Sequence, residues 1–264
     1  MKFTKITAVL NLISVVLVIG VNYISQAVKL NDTTIGEMSA RYNNLFTPAS
    51  YAFSIWGLIF LGLLAYGIFQ VRRAFFSSES TAFIKQTGYW FVTANVLNCF
   101  WVVAFVYDQV GLSVLLMLGI LYSLLKIVVK TNMERWDAPL SIIAFTWWPI
   151  CLYSGWISVA TIANVAAFLK KIEWEGGFLS AQSWTVLMIV IAALLNIFMI
   201  LNRNMREFAA VGVWALAAIF FRHQDSNHLI AYTALVVGIL VFSVITWHGY
   251  KNRHTNPFRK KIGL

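Results

Sequence analysis

Eight apolar stretches joined by mostly short polar connections limit what this chain can fold into. They run Ile6 to Val28, Ala49 to Gln70, Gly88 to Tyr107, Val110 to Val129, Ser141 to Leu169, Leu179 to Leu201, Phe208 to Phe221 and Leu229 to Trp247. A helix crosses the hydrocarbon core of a bilayer with about 20 mostly apolar residues. In lipid the backbone has no water to bond to, so such stretches fold as helices that satisfy their own N–H and C=O groups. The composition agrees, because 60% hydrophobic against 11% charged residues is far from the balance of a soluble domain. The expected fold class is all-α, a polytopic membrane helix bundle; 264 residues could form one or two soluble domains by length alone, but the short polar connections leave no room for one.

Two stretches depart from the ideal length. The seventh has 14 residues, so it spans only if it borrows flanking polar residues or the bilayer thins; a re-entrant or interfacial segment is the alternative. The fifth is too long, and Pro149 near its start predicts a kink or interfacial turn before the true span. Charge gives an independent check, since cytoplasmic loops near span ends are enriched in Lys and Arg. With eight spans and the N-terminus inside, only Lys29, Arg41, Lys170, Lys171 and Arg222 of the 20 basic residues fall outside. Dropping the seventh span moves the five basic residues of the tail, Lys251, Arg253, Arg259, Lys260 and Lys261, to the other side and erases the asymmetry. Both termini are therefore expected in the cytoplasm, and the pattern points to a bacterial inner membrane. The opening MKFTK and its apolar run also fit a secretory signal with Ser25-Gln26-Ala27 as a poor cleavage site, but the run exceeds the 7 to 15 residues of a signal core.

The net charge of +10 follows from this inside-positive bias and attraction to anionic lipid, and points to no nucleic acid. Cys99 and Cys151 lie inside predicted spans without a spaced metal partner, so neither a disulfide framework nor a zinc site is expected. His223, His228, His248 and His254 lie in loops or at a span end, with no carboxylate at ligand spacing. No nucleophile and base stand at a workable spacing, so no catalytic residue is assigned and the chain does not read as an enzyme. The carboxylates lie almost entirely outside the spans, and Lys126 near a span end can snorkel, so coupled ion transport is not indicated.

The informative residues are polar and aromatic groups within the spans. Tryptophan collects at membrane interfaces, and Trp90, Trp136, Trp174, Trp184 and Trp247 fit that placement, whereas Trp56, Trp101, Trp156 and Trp214 lie several residues inside. Asn95, Asn98 and Trp101 recur every three residues and share one broad face, which the cost of asparagine in hydrocarbon turns toward the bundle interior. Tyr153, Trp156, Ala160 and Asn164 form a narrow helical stripe. Such stripes serve either as interhelical contacts or as the lining of a pocket for a flat, mostly apolar ligand with a few polar groups.

At these residues the chain resembles the tryptophan-rich sensory protein and translocator protein family (TspO/MBR, peripheral benzodiazepine receptor-like). Pro48, Trp56 and Phe60 match the spacing of that family's second helix; Leu97, Asn98 and Trp101 reproduce its LNxxW signature in the third. LYSGWISVATIAN supplies Tyr153, Trp156, Ala160, Thr161 and Asn164 of its fifth-helix motif. The family's FGPVW reads FSIW here, and the proline expected before Tyr153 is Leu152. The motifs cover the first five spans, up to about residue 169.

The resemblance implies a five-helix TspO-like core over residues 1–169, followed by about three additional transmembrane helices and a basic tail over 170–264. It also implies a ligand cavity lined by Trp56, Phe60, Trp101, Tyr153 and Trp156 for stacking, Asn98 and Asn164 for hydrogen bonds, and Ala160 for clearance. The implied ligand is a porphyrin or similar tetrapyrrole, bound by a sensor or transporter; family members have also been linked to porphyrin breakdown. No resident cofactor or metal is implied, and the partners are the hydrophobic ligand and the lipid bilayer. Two other classes stay open: a carrier for another hydrophobic solute, with the last three spans as gate or homodimer surface, and a non-catalytic membrane scaffold.

Overall fold

The computed structural model describes residues 2–174 and 176–253. His254, Arg259, Lys260 and Lys261 of the expected basic tail lie outside the described residues. Eight long helices occupy the eight apolar stretches: α1 Lys2–Ile24, α2 Ile55–Phe76, α3 Trp90–Val106, α4 Val110–Lys130, α5 Trp148–Lys171, α6 Ala181–Arg203, α7 Arg206–His223 and α8 His228–Lys251. No strand occurs among the described residues. The protein is thus an all-helical, multi-pass membrane protein.

Among the described residues, six of the helical segments are long and apolar enough to cross a bilayer; α3 and α7 are not among them. These two have 17 and 18 residues, about 26 and 27 Å at 1.5 Å per residue, a few Å less than a hydrocarbon core. The seventh stretch is one continuous helix, and it does borrow polar neighbours: Arg206 and Glu207 begin it, Arg222 and His223 end it. The fifth stretch starts with a short helix, Leu140–Ile142, and a π-turn, Ile143–Trp147, before α5. Pro149 sits in the first turn of α5, where its missing N–H costs nothing. The wide turn just before it closes with the Trp148 N–H on the Ile143 carbonyl, so the irregularity predicted from Pro149 precedes the span.

The chain forms two compact units. The first comprises Met1–Asn43 and Ser54–Met133; the second comprises Asn44–Phe53 and Glu134–Leu264. In the first, α1 packs on α2 and α3, and α3 on α4. Helix α1 turns apolar side chains such as Ile6, Ile13, Val16 and Leu17 outward and buries Thr4, Thr7, Asn11, Ser14 and Asn22. Three rungs tie this polar face to its neighbours. Asn11 donates to Gln70 Oε1 at 2.7 Å, Asn95 donates to Ser14 Oγ at 2.9 Å, and Asn22 donates to Asn98 Oδ1 at 3.0 Å. Four carboxamide atoms remain without a protein partner: Asn11 Oδ1, Gln70 Nε2, Asn95 Oδ1 and Asn98 Nδ2. An unsatisfied buried polar group costs about 1–3 kcal/mol, so four rival the entire net stability of about 5–15 kcal/mol typical of a domain.

The second unit has a different interior. Helix α7 packs against α5, α6 and α8 and buries Phe208, Ala209, Val211, Gly212, Ala215, Leu216, Ala218 and Ile219. A side chain on Gly155 would place its Cβ 2.7 Å from the Phe208 carbonyl oxygen, and one on Gly212 would meet the Asn196 carboxamide at 2.5 Å. Glycine at both positions lets α5 and α6 approach α7 more closely than any side chain allows. The segment 44–53 is strapped along α7. The Ala49 N–H donates to Ala218 O at 3.2 Å, Trp214 Nε1 donates to Ala52 O at 3.1 Å, and the Arg222 guanidinium donates to Thr47 O. Pro48 thus lies in a stretch whose backbone is held by one helix.

Candidate functional site

Of the eight residues expected to bind ligand, Trp56, Phe60, Asn98 and Trp101 belong to the first unit and Tyr153, Trp156, Ala160 and Asn164 to the second. In the first unit, Trp56 and Phe60 sit one turn apart near the start of α2, half-buried. Their rings stack at 5.1 Å between centroids and 25° between planes. On α3, Trp101 and Phe105 stack more nearly parallel, at 5.5 Å and 14°. Offset stacking at such separations is the arrangement that aromatic quadrupoles favour. One turn before Trp101, Asn98 is fully buried; its oxygen is committed to Asn22 and its nitrogen has no protein partner. The α3 face read from Asn95, Asn98 and Trp101 is indeed internal, with all three buried.

In the second unit the α5 stripe is internal as well. Tyr153, Trp156 and Asn164 are buried and Ala160 is half-buried. The Trp156 ring meets Phe53 edge to face, with centroids 5.8 Å apart and planes at 82°. Around this stripe the hydroxyls of Ser154, Ser158 and Thr161 donate to carbonyls one turn back on their own helix, a bond that satisfies a hydroxyl in an apolar setting. Trp214, also read as lying inside its span, is 37% exposed. Its N–H is used on Ala52 and its ring contacts Tyr51 at 5.5 Å, so it pins the strap.

Two features escaped the sequence reading. The first is the buried polar face of α1; its signal was present in the three- and four-residue spacing of Thr4, Thr7, Asn11 and Ser14, resumed about two turns later by Asn22 and Ser25. The second is a cluster in the second unit. Ligand atoms of Glu134, Cys151 and Glu207 lie within 4.8 Å of one another, supplied by three segments far apart in sequence, so no spacing rule reveals it. The loop bearing Glu134 is docked on the turn between α6 and α7. Asn204 Nδ2 donates to Glu134 O at 2.7 Å, and the Arg135 guanidinium donates to Asn202 O. Burial pushes the Glu134 carboxyl up to about 8, the neighbouring Glu207 adds to the rise, and Arg206 opposes it. At neutral pH this carboxyl is therefore mostly protonated.

Comparison with curated proteins finds no match, and comparison with solved structures finds none either. A family model does match, that of the TSPO-like protein, over residues 8–247. The match runs beyond the five spans that carry the motifs and takes in α6, α7 and most of α8. With its motifs on α2, α3 and α5, an all-helical membrane fold and a match over nearly its whole length, the chain belongs to the TSPO-like protein family.

Proposed function

We propose that this membrane protein binds a flat hydrophobic small molecule of the porphyrin or tetrapyrrole kind and acts as its sensor or transporter. The observation that carries the reading is the LNxxW motif as folded. It presents the Trp101–Phe105 stack one turn from a buried Asn98 amide that still has a hydrogen to donate. A flat macrocycle with a polar edge needs that combination of stacking surface and a few fixed polar groups. Within the same unit Trp56 with Phe60 supplies further stacking surface; in the second unit Tyr153, Trp156, Ala160 and Asn164 on α5 form a separate stripe of the same chemical character. Binding rather than catalysis is the role these groups suit. The basic residues support an orientation with both termini in the cytoplasm, in a bacterial inner membrane.

Titration of the detergent-purified protein with protoporphyrin, read by tryptophan fluorescence, tests the reading. Saturable quenching is expected, weakened in Trp56→Phe and in Trp156→Phe. Absence of saturable quenching in folded wild type removes the tetrapyrrole and leaves the carrier and scaffold classes.

A further inference from the structure

The polar face of α1 does more than hold helices together. From Thr4 to Ser25 its buried polar residues extend over about 30 Å of helix, the thickness of a hydrocarbon core. The hydroxyls on this face need nothing further. Thr7, Ser14 and Ser25 each donate to a carbonyl of α1 itself, at 2.9, 2.7 and 2.8 Å. The carboxamides are another matter. Asn11, Gln70, Asn95 and Asn98 have no solvent exposure at all, and each keeps one atom without a protein partner. Two of those atoms accept hydrogen bonds and two donate them, and all lie where α1 meets α2 or α3.

A set of fully buried donors and acceptors left over at the centre of a bundle identifies a polar occupant. Net charge in the occupant is disfavoured, because the side chains that make the rungs are all neutral and an ion pays a large desolvation cost there. Size is limited as well, since Val15 and Val18 fill the same face without exposure. A small molecule that both donates and accepts meets all three conditions, and water does so with its usual two to four partners.

We propose that the first unit contains a hydration track, a binding site for water molecules at the Asn11–Gln70 and Ser14–Asn95 rungs of α1. The waters complete the Asn11–Gln70 and Ser14–Asn95 rungs. The track stands apart from ligand binding: Asn11, Ser14, Gln70 and Asn95 have no part in the tetrapyrrole reading, and a failed porphyrin titration leaves the track untouched.

Synchrotron hydroxyl-radical labelling of the full chain in detergent tests it, because radicals formed from bound water oxidise the side chains beside that water. Tyr66 and Phe91 are the reporters. Neither is exposed, their rings lie 5.0 Å apart, and they stand one turn from Gln70 and Asn95. Phe208, 2% exposed in the second unit, is the dry reference. Oxidation of Tyr66 and Phe91 several-fold faster than Phe208 is expected, falling toward the Phe208 rate in Asn11→Leu/Gln70→Leu. Reporters labelled no faster than Phe208 in wild type overturn the proposal, and that comparison decides the matter even if the double variant fails to fold. A folded double variant labelled like wild type overturns it as well.

Discussion

The two units solve the same problem in opposite ways. In the first, helices meet through carboxamide rungs, with Asn11 on Gln70, Asn95 on Ser14 and Asn22 on Asn98. In the second, α7 is surrounded by neighbours that approach its backbone through Gly155 and Gly212, and it buries mainly Ala, Val, Ile and Phe. Lipid is as apolar as leucine, so burial of hydrocarbon does not by itself drive helices together in a membrane. What remains is hydrogen bonding or close van der Waals fit, and each unit relies chiefly on one of these. The lesson is that the overall apolarity of a helix does not reveal what its buried face carries. Helix α1 is apolar enough to span, yet its buried face is polar; α7 is not among the apolar spans, yet it buries mainly hydrocarbon against three neighbours.

The comparison breaks most readily at the close-packed positions. Gly155→Leu is expected to destabilise the protein by about 3 kcal/mol, since its Cβ meets backbone that cannot step aside. Gly57→Leu on α2 has open space around it and should be near neutral. Unfolding in detergent, followed by helical signal, measures both, and equal tolerance would refute the close-packing account.

The rungs give the next largest effect. Asn98→Leu removes the acceptor for Asn22 and is expected to cost about 1–2 kcal/mol. The double change Asn22→Leu/Asn98→Leu should recover most of it, because two apolar partners leave no amide stranded. A double-mutant cycle reads the coupling, and purely additive losses would show that the rung is incidental. Smaller still, Trp214→Phe deletes the bond to Ala52 O and should cost about 1 kcal/mol. Faster proteolytic cleavage within 44–53 is the expected sign that the strap has loosened.

The second unit also carries a dependence on pH. The Glu134 carboxyl titrates near 8 in the fold, against 4.5 for the free group. Between those values the folded state holds a proton that the unfolded state has released, so stability falls as pH rises. The contribution is complete below about 4.5, declines toward 8 and is gone above it. Glu134→Gln should flatten the midpoint of thermal unfolding between pH 5 and 8. An unchanged slope would place the titrating group elsewhere.

Part of this was legible in the residues. Asn95, Asn98 and Trp101 announced an internal face because asparagine in hydrocarbon must find a partner, yet the partners themselves, Ser14 and Asn22, are 81 and 76 residues away. The α5 stripe was legible through its helical spacing, and Pro149 through the turn it forces. The strap at 44–53 was not, because its bonds run from main-chain groups to residues of α7 more than 160 positions later. Nothing in local composition encodes such a distance.

By itself, then, the sequence determined the solvent, the helices and the family. Apolar length and backbone satisfaction in lipid leave one secondary structure, and short motifs on three helices carry a likeness that extends over residues 8–247. Only the tertiary structure decided which polar groups meet. The rungs of the first unit and the Glu134, Cys151 and Glu207 cluster of the second arise from contacts among distant segments. Hydrogen bonding and charge act over a few Å, whatever the separation along the chain.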